Sequence, residues 1–192
     1  MTGRVVALVL LALIASPSSV LSDEAQGPTS ALLRAAELPS HRFLIRLIGE
    51  ENPELSAFTT DGCSGGMSAG WALIGEDFPE LPGTEDGTLP WEPCCVIHDR
   101  AYHNAGGATN PDASFDARYA ADEALRACVE KTGEVEKVKA AERLNLTEAQ
   151  IETGYQLLAQ AMFNAVRLGG GPCSGLPWRW GYGYPRCWSP LR

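Results

Sequence analysis

Six cysteines set the terms on which this 192-residue chain can fold, and two of them, Cys94 and Cys95, are neighbours. A bond between adjacent cysteines is strained, so each of the pair has to reach a different segment. Whatever element carries them is then pinned from two directions. The other four are Cys63, Cys128, Cys173 and Cys187. An even count reads as disulfides in an oxidising compartment, and the first residues point to one. Arg4 precedes an apolar run over 5–15, followed by Pro17, Ser18 and Ser19 and then by the acids Asp23 and Glu24. A basic start, an apolar core of about 7–15 residues and a small-residue exit form the pattern of a secretory signal peptide, expected over residues 1–22. The protein is expected to be secreted, extracellular or periplasmic, with three disulfides for which sequence alone allows 15 pairings.

Charge narrows the partners. Fifteen Lys and Arg against 24 Asp and Glu give −9, a poor balance for gripping phosphate backbones, so no nucleic-acid partner is expected. No apolar run reaches the roughly 18 residues of a bilayer span, so no transmembrane span is expected.

The hydrophobic spacing predicts helices joined by loops. Thr29 or Ser30 can cap a first helix through Leu32, Leu33 and Ala36, which Pro39 ends. Phe43, Leu44, Leu47 and Ile48 keep helical spacing in a second stretch. Residues 58–92 lack periodicity and read as loop, with solvated acids at Glu76, Asp77, Glu80, Glu85 and Asp86. A helix starts near Pro93 and runs to about Asn104, before Gly106-Gly107. Asp112 or Ser114 can cap the next, which runs past Tyr119, Asp122 and Leu125 to Cys128. Residues 134–143 form a charged helical segment. Thr147 with Gln150 makes a capping box for a long helix with Ile151, Tyr155, Leu158 and Met162 on one face, which Gly169-Gly170-Gly171 stops. The segment 177–188 is aromatic and irregular: Trp178, Trp180, Tyr182 and Tyr184 either seat the chain on a lipid surface or pack over the helices. His41 and His103 belong to no constellation. Asn145-Leu146-Thr147 is a glycosylation sequon. The fold class is all-α: a disulfide-linked antiparallel helix pair with flanking helices.

One segment carries the chemistry. In Cys94-Cys95-x-x-His98-Asp99-x-x-Tyr102, helical geometry puts His98 and Asp99 about 100° apart, with Tyr102 between them in azimuth one turn later. A neutral imidazole suits general-base work near pH 7, and a carboxylate suits a hard, oxygen-seeking cation. Asp122 lies six residues before Cys128. A disulfide from Cys94 or Cys95 to Cys128 would lay the two helices side by side and bring Asp122 to the imidazole. A rival reading makes Cys94, Cys95, His98 and Asp99 zinc ligands, but export favours oxidation of the thiols.

This segment resembles the active-site helix of the secreted phospholipase A2 family. Thr60-Asp61-Gly62-Cys63-Ser64-Gly65-Gly66 is similar to that family's calcium loop, and the run around Asp122 to its second helix. The resemblance covers about residues 58–130. It implies a calcium-dependent enzyme that hydrolyses the sn-2 ester of glycerophospholipids at a membrane or micelle surface as a monomer. His98 would be the base, Asp122 the acid behind it and Tyr102 its positioning donor; Asp99 and the carbonyls of Gly62, Ser64 and Gly66 would hold calcium. It also implies the pairs Cys63–Cys95 and Cys94–Cys128, leaving Cys173–Cys187. The family's further disulfide would join positions 101 and 121, and both are alanine here. The expected organisation is then a signal peptide over 1–22, an N-terminal helical segment over 23–57, a phospholipase A2-like core over 58–131, C-terminal helices over 132–168 and a disulfide-clamped tail over 169–192. The alternative is a non-catalytic lipid- or receptor-binding protein on the same scaffold, which would lose the base, the calcium acid or the loop glycines.

Overall fold

A computed structural model describes residues 28–63 and 89–187. The expected signal peptide, the acids of 76–86, and Ser64 and Gly66 lie outside the described residues. Among the described residues four helices follow in the order α1 (Pro28–Glu51), α2 (Glu92–His103), α3 (Pro111–Leu144) and α4 (Glu148–Gly169), with a 3₁₀ turn at Ala105–Gly107 between α2 and α3. There is no strand among the described residues, which agrees with the all-α expectation. None of the described helices is long and apolar enough to cross a membrane.

Pro39 does not end the first helix as expected; it sits inside α1, which continues to Glu51. A proline removes one helical hydrogen bond and crowds the preceding turn, so something must hold both halves in line. That support is α3. Arg34 pairs with Asp112 at 2.9 Å and Asp116 at 2.5 Å on the near side of Pro39. Glu37 pairs with Arg118, and on the far side His41 Nδ1 meets the Ser114 hydroxyl at 2.8 Å. The expected caps of α3 are also corrected. Asn110 is the cap, its side chain accepting from the Ala113 N–H at 2.8 Å, while Asp112 serves Arg34 and Ser114 is buried. Residues 134–143 are not a separate segment but the end of α3, so this helix crosses position 131. The capping box at Thr147 and Gln150 forms, and α4 ends at Gly169.

The helices pack as two antiparallel pairs. Cys94 bonds Cys128, His98 meets Asp122 and Tyr102 meets Arg118, so ascending α2 descends α3. Between α3 and α4 lies the main core of Leu125, Val129, Ile151, Tyr155, Ala159 and Met162. Three disulfides join Cys63–Cys95, Cys94–Cys128 and Cys173–Cys187, and no cysteine is free. These are the pairs the resemblance implies, and the zinc reading loses its thiolates. The clamped tail returns over α2. Trp180 is fully buried, edge-on to Tyr102 with centroids 4.9 Å apart, and its Nε1 donates to Ser114 Oγ at 2.9 Å. Trp180 therefore belongs to the packing side of the two readings of the tail. Ala101 and Ala121 pack against this small cluster.

The α3–α4 pair closes on Gly133, where a Cβ would sit 2.5 Å from Tyr155 Cβ. Alanine at an ordinary helix position gains about 1 kcal/mol over glycine. Here crowding should win, so Gly133→Ala is expected to destabilise the fold by about 1–3 kcal/mol in denaturant unfolding; a gain in stability would contradict the packing.

Candidate active site

Two faces of α2 explain the adjacent cysteines. Residues 94, 98 and 102 are spaced by four, on one stripe of the helix, and turn Cys94, His98 and Tyr102 toward α3. Cys95 and Asp99 form the next stripe and face the segment before α2: Cys95 bonds Cys63, and Asp99 accepts from Thr60 Oγ1 at 2.6 Å. Glu92 and Pro93 open α2 within one turn of the cysteines. Sulfur tethers thus fix the helix one turn before His98 and Asp99.

Asp122 is the centre of the polar cluster and has no exposed surface. Its Oδ1 accepts from His98 Nε2 at 2.9 Å and from the Tyr102 hydroxyl at 2.7 Å. Its Oδ2 accepts from Arg167 Nη1 at 2.9 Å. A buried carboxylate is costly unless donors surround it, and here three donors come from two other helices. Arg118, also fully buried, donates to the Tyr102 hydroxyl at 3.2 Å and to the carbonyls of Val166 and Arg167 at 2.7 and 2.9 Å, which caps the end of α4. Glu37 of α1 closes the cluster by pairing with both Arg118 and Arg167. Two guanidiniums thus balance two carboxylates. Burial pushes the Tyr102 phenol well above its ordinary 10.0, reinforced by the charge of Asp122, so it remains a donor.

An imidazole that donates from Nε2 keeps its lone pair on Nδ1. Nδ1 is 4.0 Å from Asp99 Oδ1, beyond hydrogen-bond reach. His98 and Asp99 line a cavity of about 120 Å³ whose other walls include Gly62, Leu125, Met162 and Val166. The site therefore has an apolar flank and one polar end. Asp99 is partly buried, and that burial raises its carboxyl above the ordinary 3.8, with Asp61 adding to the rise while Thr60 and His98 oppose it. It has no lysine or arginine partner among the described residues. Gly62 stands in the left-handed region at φ +67, which favours glycine, and lines the same cavity. A hard-oxygen carboxylate without a basic partner, beside a backbone turn, suits calcium.

The structure brings His98, Asp122, Tyr102, Asp99 and Gly62 into one place; Ser64 and Gly66 lie outside the described residues. Among those residues no group of three or more His, Cys, Asp or Glu side chains is arranged to hold a metal. No local signal in the sequence marks Arg167, Arg118 and Glu37 for the site, because helical arginines and glutamates ordinarily read as a solvated face. His41 is a fully buried strut on Ser114 rather than incidental. His103 is also buried, edge-on to Phe58 and Tyr182. Comparison with protein-family models, curated proteins and solved structures gives no match to this chain.

Glu37 supplies a pH test. Its burial favours the neutral acid, but His41 and the charges of Arg118 and Arg167 outweigh this and hold the carboxyl below its ordinary 4.5. A depressed carboxyl stabilises the fold above its ordinary value and loses that contribution as pH falls through the folded value. Glu37→Gln should cost about 1.5–3 kcal/mol at pH 7, with the gap to wild type narrowing below about pH 4.5 in parallel unfolding curves. A constant gap would remove this role from Glu37.

Proposed function

We propose that this chain is a secreted, calcium-dependent phospholipase A2 that hydrolyses the sn-2 ester of glycerophospholipids as a monomer at a membrane or micelle surface. One observation carries the reading: a single imidazole is held through Nε2 by a fully buried acid while it borders a cavity shared with a second acid. His98 Nδ1 takes a proton from water as the water oxygen attacks the sn-2 carbonyl carbon. Asp122 keeps the ring in the Nε2–H tautomer and stabilises the imidazolium as it forms. Tyr102 and Arg167 hold the two oxygens of Asp122 and so fix the plane of the ring. The proton then passes from Nδ1 to the glycerol oxygen as the ester C–O bond breaks, releasing a fatty acid and a lysophospholipid. Leu125, Met162 and Val166 give the acyl chain an apolar wall.

Calcium, held by Asp99 and Gly62 with Ser64 and Gly66 as the resemblance implies, would supply Lewis-acid stabilisation of the ester oxygen and attraction for the phosphate. Three disulfides and the absence of a membrane-spanning helix among the described residues are compatible with export. The resemblance to secreted phospholipases A2 supports the same assignment.

A general base contributes roughly 10²–10⁴-fold in rate. His98→Gln should therefore lower fatty-acid release from phospholipid micelles by that much with the fold intact by circular dichroism. A calcium chelator should abolish release by the wild type, and added calcium should restore it. Undiminished release by the variant would contradict the assignment.

A further inference from the structure

Beside the cavity that His98 borders lies a second, of about 220 Å³, and the two share three walls: Asp61, Asp99 and Trp178. Its remaining lining includes Tyr182, Thr59 and Thr60. We propose that this second cavity is a subsite for a quaternary ammonium group, which makes choline-bearing phospholipids the substrates of the neighbouring site. The assignment of the ligand as a lipid headgroup rests on the phospholipase reading; the affinity for the ammonium group does not.

The walls have the chemistry such a cation requires. A quaternary ammonium has no hydrogen to donate, so it is held by aromatic faces and by negative charge rather than by hydrogen bonds. Both rings are fixed in place. Trp178 lies against Gly169, where a Cβ would come within 2.3 Å of its ring. The Tyr182 hydroxyl donates to the Thr59 carbonyl at 2.6 Å, and its ring stands edge-on to His103 with centroids 5.1 Å apart. Backbone bonds from Gly181 N to the Tyr102 carbonyl at 2.6 Å and from Gly183 N to the His103 carbonyl at 2.9 Å clamp it on both sides. The charge is in place as well. Asp61, which the calcium assignment leaves unused, is exposed and among the described residues pairs with no lysine or arginine. Arg100, the cation whose field reaches Tyr182, is stacked over Phe58 at 4.2 Å.

The two cavities share Asp61, Asp99 and Trp178, so one ligand can span them. In a choline phospholipid the phosphate joins the ammonium end to the glycerol esters. Seated with its ester beside His98, such a lipid brings its phosphate to where Asp99 would hold calcium and places the ammonium between Trp178 and Tyr182.

Calorimetric titration of the full chain with tetramethylammonium, phosphocholine and glycerol 3-phosphate tests the site without turnover. Tetramethylammonium and phosphocholine should bind, and glycerol 3-phosphate should bind at least about tenfold more weakly. Tyr182→Leu should weaken the ammonium ligands about tenfold while Tyr182→Phe, which keeps the ring, retains them. Asp61→Asn, on an exposed residue, should weaken them by a similar factor with the fold unchanged by circular dichroism, and decides the matter if Tyr182→Leu does not fold. No ammonium binding, or binding unaltered in Asp61→Asn and Tyr182→Leu, overturns the proposal. Vesicles separate the two readings. Faster release from phosphatidylcholine than from phosphatidylglycerol, with the difference lost in Tyr182→Leu, supports both. Equal release from the two overturns the assignment of choline lipids as the substrates and leaves the hydrolase. Ammonium binding without any release keeps the subsite, assigns it to a free organic cation and removes the hydrolase.

Discussion

The structure is organised around one carboxylate that has no contact with water. Burying Asp122 would be unfavourable by several kcal/mol if it stood alone, so the surrounding helices have to deliver donors to it. α2 supplies His98 and Tyr102, α4 supplies Arg167, and α1 supplies Glu37 to balance the second guanidinium, Arg118. Removing any one helix would leave a buried charge unpaired. This requirement explains why α1 runs straight through Pro39: both of its halves are anchored to α3 by polar contacts that a break would sever. It also sets the imidazole, because the geometry that satisfies Asp122 points the free nitrogen of His98 away from it.

Covalent bonds fix α2 at the turn before His98 and Asp99. Cys63–Cys95 and Cys94–Cys128 close loops with separations of 32 and 34 residues, each worth about 3.5–4 kcal/mol of chain entropy in the unfolded state. Their second effect is directional. Cys94 draws one stripe of α2 onto α3 and Cys95 draws the next toward the segment bearing Thr60 and Gly62, so His98 and Asp99 are presented to different neighbours across one cavity. The tail clamp Cys173–Cys187 works in the same way, holding Trp178 and Tyr182 as walls while Trp180 fills the space over Tyr102.

What the sequence reveals follows the range of the interactions. Local signals read well: the Thr147–Gln150 capping box, the glycine stop after α4, and the spacing of cysteine, histidine and tyrosine along α2 all depend on residues within a few positions of each other. Pro39 misleads because the local penalty is real and only tertiary anchoring overrides it. Asp112 and Ser114 look like caps for the same reason, yet one is used by Arg34 and the other by His41 and Trp180, while Asn110 does the capping. Arg167 reaches Asp122 across 45 positions and Glu37 reaches Arg167 across 130. No window of sequence contains both ends of such a pair, so the histidine–aspartate core of the site is legible and its charged support is not.

Hydrolysis by His98 at one ester position has a single chemical outcome that can be read on an intact substrate. A phosphatidylcholine carrying different fatty acids at its two ester positions, incubated with the chain and calcium, should release only the sn-2 acid and its matching lysolipid, identified by mass spectrometry. Release of the sn-1 acid, of both acids equally, of a phosphorylated headgroup, or of nothing would contradict it.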